Sequence, residues 1–316
     1  MPRIVLTGAT GFVGAHAIPA LQAHGFEIHA LGRQAPVGEV AHHPVDLLDA
    51  TAVRDVLGYV RASHLLHLAW YAEPGLYWHS AVNLDWVAAS LALVRAFREA
   101  GGVRAVAAGT CAEYAWGPER LREDAPCAPA TLYGAAKDGT RRILEAYADE
   151  TGLSFAWGRL FFLYGPGEKP GRLVSDAIQA LVSGARFGTS PGHQRRDFSH
   201  VADAAGAFAA LVDSRVTGPV NVGSGAAVPV RAILERIGRL TGRPDLIDFG
   251  ARPLAVGEPA CIEADVTRLR REVGFQPCSD LDAGLSATLA AHRCAYSGQA
   301  VFASLTGVDL PRESGE

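Results

Sequence analysis

Apolar and polar positions change period repeatedly along the first half of the chain. "RIVLTG" (3–8) is a short apolar run ending in glycine, and "AHAIPALQAHG" (15–25) then recurs apolar at helical spacing and stops at Gly25, a residue suited to a helix C-terminus. "FEIHALGR" (26–33) reads as a second strand, "ATAVRDVLGYV" (50–60) as a helix and "HLLHLAW" (64–70) as a strand. "NLDWVAASLALVRAFREAG" (83–101) follows as a long helix and "VRAVAAGT" (103–110) as a strand. Strands that alternate with helices pair in parallel through right-handed crossovers, which predicts an α/β fold with a doubly wound parallel sheet. After about Gly165 the alternation loosens, because "GPGEKPGR" (165–172) is rich in turn formers and the remainder mixes short helices with loops. The expected organisation is a main domain over 1–165 with a return segment at about 196–224, a smaller C-terminal α/β domain over 166–300, and a surface tail over 301–316.

The first strand runs directly into "TGATGFVG" (7–14), with glycines at 8, 11 and 14. At this spacing one glycine permits the tight turn, the next lets backbone approach a pyrophosphate, and the third allows close packing of the helix whose N-terminus faces the anion. A glycine triplet alone is a weak signal, but between a first strand and a helix it points to a dinucleotide site built on Gly8, Thr10, Gly11, Phe12, Val13 and Gly14. The end of the second strand selects the dinucleotide: an acid there suits the ribose 2′-hydroxyl of NAD, an arginine the 2′-phosphate of NADP. The chain has Gly32 and Arg33, with no acid until Glu39, which favours NADP and leaves NAD as the alternative. Asp46 and Leu47 follow later, in "PVDLLD", where Asp46 either meets the adenine or caps the following helix.

Composition narrows the partners. Lys and Arg total 29 against 33 Asp and Glu, a net charge of −4 with pI near 6.3, so there is no basic stripe for nucleic acid or an anionic membrane. No apolar run reaches membrane-spanning length and "MPRIVLTGATG" lacks a signal pattern, so the expected location is cytoplasmic. Cys111, Cys127, Cys261, Cys278 and Cys294 are scattered without C-x-x-C spacing and read as packing residues. His42 and His43 read as surface-loop residues, and no metal site is indicated. The positive charge is almost all arginine; Lys137 and Lys169 are the two lysines.

Lys137 lies four residues after Tyr133 in "TLYGAAKDG", at the start of a helix, and Thr110 ends the preceding strand. The three converge beside the crevice of a doubly wound sheet. A phenol with pKa near 10 is a poor acid-base at neutral pH, and a neighbouring ammonium biases it toward phenolate while also holding a ribose hydroxyl. An i,i+4 pair on an ordinary helix face is the bland alternative.

With these features the chain resembles the extended short-chain dehydrogenase/reductase superfamily, in its nucleotide-sugar epimerase/dehydratase/reductase branch, over about residues 3 to 295. The markers are "TGATGFVG", "HLAW" (67–70), Thr110, Tyr133 with Lys137, "LYGPG" (163–167), "RRDFSHVAD" from Arg195 and "NVGSG" from Asn221. The resemblance implies Tyr133 as general acid-base, Thr110 on the substrate oxygen and Lys137 on the nicotinamide ribose. It places Leu68, Ala69, Trp70 and Leu163 beside the cofactor, and Trp70, Cys111, Phe162, Arg196 and Arg252 toward the substrate. Arg196 would meet substrate phosphate; its structural alternative is helix capping or an ion pair with Asp197 or Asp203. The two long helices, 83–101 and 133–152, resemble the pair that forms the family's four-helix homodimer contact.

Two departures sharpen the reading. Sugar 4,6-dehydratases follow the threonine with Asp-Glu, whereas this chain has Cys111 and Ala112, so water elimination lacks its acid and base. Glu113 is one position out of register, which suits a structural role. Phe162 stands where the family often has an asparagine on the sugar diphosphate, so it either walls a deoxygenated sugar or packs. Trp70, Tyr77, Trp78 and His79 crowd a loop after a strand end, and either meet substrate or cover an apolar seam. The expected activity is NADPH-dependent reduction of a nucleotide-activated 4-keto-6-deoxysugar, with an NAD-dependent nucleotide-sugar 4-epimerase as the alternative. A non-catalytic dinucleotide sensor is disfavoured by the intact Thr110, Tyr133 and Lys137.

Overall fold

Apolar runs of the amino-terminal half become strands buried on both sides, as a parallel sheet covered by helices requires. The computed structural model describes residues 1–117 and 120–306. The chain begins β1 (Arg3–Thr7), α1 (Phe12–Ala23), β2 (Glu27–Gly32), β3 (Ala41–Pro44), α2 (Ala50–Val60), β4 (His64–His67), α3 (Val82–Glu99), β5 (Arg104–Thr110), α4 (Leu132–Thr151) and β6 (Ser154–Leu160). It continues β7 (Phe162–Tyr164), α5 (Leu173–Ser183), β8 (Phe187–Thr189), β9 (Arg195–His200), α6 (Val201–Asp213), β10 (Gly218–Val222), β11 (Ala227–Pro229), α7 (Val230–Thr241), β12 (Ile247–Phe249), β13 (Cys261–Ile262), α8 (Thr267–Arg271) and α9 (Leu281–Thr306).

The main sheet has seven parallel strands in the order β10-β6-β5-β4-β1-β2-β3. Chain direction across the sheet reverses between β1 and β4, which opens a crevice at the carboxyl ends of those strands. One face is covered through Ala17, Ile18 and Leu21 of α1 with Ala204, Phe208 and Leu211 of α6. The other is covered through Val53 and Leu57 of α2, Leu93 and Phe97 of α3, and Leu144 of α4. A third core joins Ile178 and Leu181 of α5, Ile233 and Leu234 of α7, and Leu285 of α9. Beside it, β9 pairs with β7, β11 and β13, so the segment after Arg195 links the smaller sheet to the main one through α6 and β10.

Several expectations need correction. β3 is a strand that the polar "AHHP" concealed, because its pairing with β2 rests on backbone rather than on an apolar alternation. His42 and His43 are therefore half-buried strand residues: His42 bonds the Gly32 carbonyl (2.9 Å) and His43 bonds His29 (2.9 Å). Cys278 and Cys294 are exposed rather than packed. Residues 301–306 continue α9, and 307–316 of the expected tail lie outside the described residues. Among the described residues no helix is long and apolar enough to cross a membrane.

Candidate active site

At the crevice the glycine turn is forced by backbone contact. Gly8 has φ +73°, and a Cβ there would lie 2.8 Å from the Ala69 nitrogen; a Cβ on Gly14 would overlap the Gly8 carbonyl. The Gly11 N–H closes the turn on the Gly8 carbonyl (2.9 Å). Leu68 and Ala69, which follow β4, are tied to the same turn by N–H bonds to the Thr7 carbonyl and hydroxyl (3.3 Å each). Thr10 is exposed at the turn, whereas Phe12 and Val13 are half-buried at the start of α1. Gly11 caps α1 without a side chain, and the first turn holds no acid, so nothing on the helix competes with a pyrophosphate. These features fit a dinucleotide.

The adenosine end is open. Arg33 is exposed one residue beyond Gly32. Asp46 accepts the Leu48 N–H (3.0 Å) in a turn and does not cap α2; that role falls to Asp49, which accepts from Thr51 and Ala52. Leu47 packs on the core under α2, and Leu163 of β7 packs on the opposite core.

Thr110 ends the fully buried β5 and starts a 3-10 turn, Cys111–Glu113, as its capping residue. Its hydroxyl accepts the Ala112 N–H (3.2 Å), and Glu113 reaches back to accept the Thr110 N–H (2.8 Å). The start of α4 presses against this turn at Gly134, where a Cβ would meet Pro129 and the Ala112 carbonyl. That close approach brings Tyr133 beside the Thr110 side chain, which favours the phenolate form. Tyr133 is boxed in further: its N–H donates to the Trp78 carbonyl (3.1 Å), and the rings of Tyr77 and Trp78 stand edge-on to it at 4.8 and 5.7 Å. The aromatic loop thus forms a wall against Tyr133. Its outer side takes Lys169 on Glu73 (3.2 Å) and Arg172 on the Tyr77 hydroxyl (3.4 Å), while His79 stays exposed.

Electrostatics depart from the expected phenolate. Burial, with Tyr77 beside it, raises the Tyr133 pKa above the ordinary phenol value, against the influence of Thr110. Lys137 is turned elsewhere: its buried ammonium donates to the Ala108 carbonyl (2.9 Å) and lies 3.7 Å from the centre of the Trp70 ring. Burial lowers its pKa to about 7, with Glu113 acting in the other direction. His67, hydrogen-bonded to Thr7 (2.7 Å) and Ser90 (2.8 Å), is held neutral by burial, its pKa lowered to about 3.

Glu113 is fully buried beneath this centre. It accepts from the Trp157 indole (2.9 Å) and from Arg159 (2.7 Å), with Arg141 at 3.8 Å. Arg159 also stacks over Tyr114 and donates to the Glu123 carbonyl and to Cys127. Glu113 is thereby a structural carboxylate that pins the end of β5.

Among the residues expected to meet substrate, Arg196 is buried and pairs with Glu258, while also donating to the Arg195 and Pro259 carbonyls (2.7 and 2.9 Å). Its partner is therefore neither Asp197 nor Asp203. Asp197 is spent on the "GSG" loop, accepting from Ser224, Gly225 and Ala264, and Asp203 accepts from Cys278 and Ser279. Phe162 lies 5.8 Å from Phe198 with the Arg196 guanidinium 5.6 Å from its ring, so an aromatic pair adjoins the arginine. Cys111 is buried, and burial together with Asp197 and Glu113 pushes its thiol up to about 12. Arg252 is exposed on the loop after β12, its backbone N–H bonded to the Thr189 carbonyl. The sequence reading missed Glu258, Asn83 and Trp157: each makes its key bond to a residue remote in the chain or buried in a regular element, and none stands in a recognisable motif.

Known proteins bear on this geometry. The UDP-glucose 4-epimerase of Azospirillum brasilense is 29% identical over 313 residues, covering 88% of each chain. UDP-glucuronic acid decarboxylase 1 of Xenopus tropicalis is 25% identical, covering 91% of this chain and 71% of its own. Among solved structures, MoeE5 in complex with UDP-glucose and NAD is similar with a TM-score of 0.80 and 28% identity, over 93% of this chain and 99% of MoeE5. The profile of one family matches residues 4–223, from the first strand of the main sheet through its last. Since that span holds the whole sheet and the crevice built on it, the chain belongs to the NAD dependent epimerase/dehydratase family.

Proposed function

We propose that the chain carries out hydride transfer at C4 of a nucleotide-activated hexose, and that it works as an NADPH-dependent reductase of a 4-keto-6-deoxysugar. A nicotinamide cofactor, when bound, would supply the hydride. Gly8, Gly11 and Gly14 would hold its pyrophosphate, Lys137 its ribose and Arg33 its 2′-phosphate. The Thr110 hydroxyl orients the substrate oxygen, and Tyr133 delivers the proton. A half-buried phenol whose pKa is raised stays protonated at neutral pH and is already loaded for that delivery, whereas the reverse oxidation must begin with the same group as a base. Cys111 and Ala112 leave no carboxyl pair beside Thr110 to expel water. The Phe162–Phe198 pair suits a sugar face that has lost a hydroxyl, and Arg196, released from Glu258, suits a phosphate.

The observation that carries the direction is Arg33, exposed at the carboxyl end of β2 with no acid before Glu39. A second reading, the nucleotide-sugar 4-epimerase with retained NAD, is favoured by the names of relatives such as the Azospirillum enzyme and by NAD in the MoeE5 complex. Cofactor economy separates them. A reductase should purify with little nucleotide, consume one NADPH for each keto sugar, and lose turnover far more than substrate affinity in Tyr133→Phe. Tightly bound NAD and interconversion of a 4-hydroxyl sugar without net oxidation would establish the epimerase instead. A thermal-shift panel of UDP, dTDP, GDP and CDP sugars identifies the nucleotide, with about 2.7 kcal/mol of stabilisation expected at 100 times Kd. Exposed Leu84 on α3 and Ile143 on α4 support a homodimer through these helices, which light scattering at graded concentrations tests.

A further inference from the structure

Lys137 is a buried cation without a counter-ion of its own. Among the described residues no carboxylate forms an ion pair with it, and Glu113, the acid that acts on it, is already committed to Arg159. Its direct partners are one carbonyl and two aromatic faces. The Ala108 carbonyl lies at 2.9 Å, the centre of the Trp70 ring at 3.7 Å and that of Trp157 at 5.7 Å. Both indoles are held by their N–H groups. Trp70 Nε1 donates to Asn83 Oδ1 (2.9 Å), and Asn83, fully buried, is fixed in turn by donating to the Tyr77 and Ser80 carbonyls. Trp157 Nε1 donates to Glu113 (2.9 Å), and Gly109 is the residue that leaves room for it, since a Cβ there would strike the indole. An ammonium over an indole face is attracted by the ring quadrupole, and most strongly where water is excluded.

We propose that Trp70 and Trp157 are positioning residues for Lys137, two indole faces that stand where a counter-ion would otherwise be needed, with Asn83 and Glu113 fixing those faces by accepting their N–H groups. A carboxylate in that place would draw the ammonium into an ion pair and away from a ribose. The indole faces hold the charge yet leave its hydrogens free to turn toward hydroxyls. The inference rests on Lys137 as the ribose-holding cation, but its test does not require turnover.

The chain has two lysines, and Lys169 is exposed, so ¹³Cε,¹⁵Nζ-lysine labelling of the full-length protein gives two resolvable side chains. Ring currents should displace the Lys137 ε-methylene protons upfield of those of Lys169. Trp70→Leu, which keeps an apolar side chain but removes the face, should abolish most of that displacement and move the Lys137 titration midpoint to lower pH. His67 from β4, Glu113 with Arg159 and Arg141 behind it, and Tyr133 on the same helix also face this centre and are unchanged by the substitution. Trp70→Phe keeps a weaker face without the Asn83 anchor and should fall between, which preserves the test if the leucine variant does not fold. A tenfold rise in the Kd for NADPH, about 1.4 kcal/mol, should accompany Trp70→Leu. The proposal is overturned if the variants leave the Lys137 signals where they are in the wild type, or if the midpoint moves to higher pH, which would make Trp70 only a water-excluding cover. Intact lysine signatures in a protein that fails to reduce keto sugars would instead refute the assignment of function.

Discussion

Replacing Lys137 by methionine should make the protein more stable, and most of all in mild acid. Burial lowers the Lys137 pKa from 10.5 to about 7, and at about 1.4 kcal/mol per pH unit this depression corresponds to a folding penalty of roughly 5 kcal/mol. Methionine has similar length and no charge to desolvate, so a gain approaching about 5 kcal/mol near pH 6 is expected, or about 10 °C in Tm. The sign follows from proton linkage. Between about pH 7 and 10 the unfolded chain keeps the lysine proton that the folded chain has lost, so wild-type stability rises with pH across that window. The advantage of the variant is therefore full below about pH 7 and shrinks toward zero by about pH 10. Parallel urea melts of wild type and Lys137→Met across this range measure the gap directly, because other titrating groups largely cancel in the difference. A gap that is independent of pH, or that widens as pH rises, would refute the reasoning.

Other perturbations test neighbouring parts of the site. Arg33→Ala should narrow the preference for NADPH over NADH by about 1.5–3 kcal/mol in binding titrations, and equal affinities in the unmodified protein would remove the basis for that preference. Glu113→Gln leaves the buried Arg159 without its carboxylate and should cost about 3–5 kcal/mol in urea denaturation, part of which Arg159→Met in the same chain should restore. Gly14→Ala drives a Cβ into the Gly8 carbonyl and should abolish dinucleotide binding by calorimetry, as the first turn of α1 is displaced from the sheet.

The parts of this molecule legible in one dimension are those whose causes are local. α2 occupies the stretch its periodicity marks, Ala50–Val60, and the turn from β1 to α1 follows from glycines whose conformation no other residue supplies cheaply. Thr110 stands at a strand end and Tyr133 at a helix start because an apolar run stops at the one and Thr131 caps the other. Their convergence follows from the topology that alternating strands and helices impose. What periodicity could not supply are the partners chosen across space. Arg196 finds Glu258, 62 residues away in a loop without a regular pattern, while its sequence neighbour Asp197 turns to backbone N–H groups instead. β3 forms on the backbone of β2 without an apolar alternation of its own, and it draws His42 and His43 out of the loop they seemed to occupy. The spacing of Tyr133 and Lys137 puts both on one helix face but leaves the phenol and the ammonium free to act on each other or not. Packing decided their surroundings, the phenol's ring set between Tyr77 and Trp78 and the ammonium on Ala108 and Trp70, because burial makes the ammonium seek the nearest group that compensates its lost water.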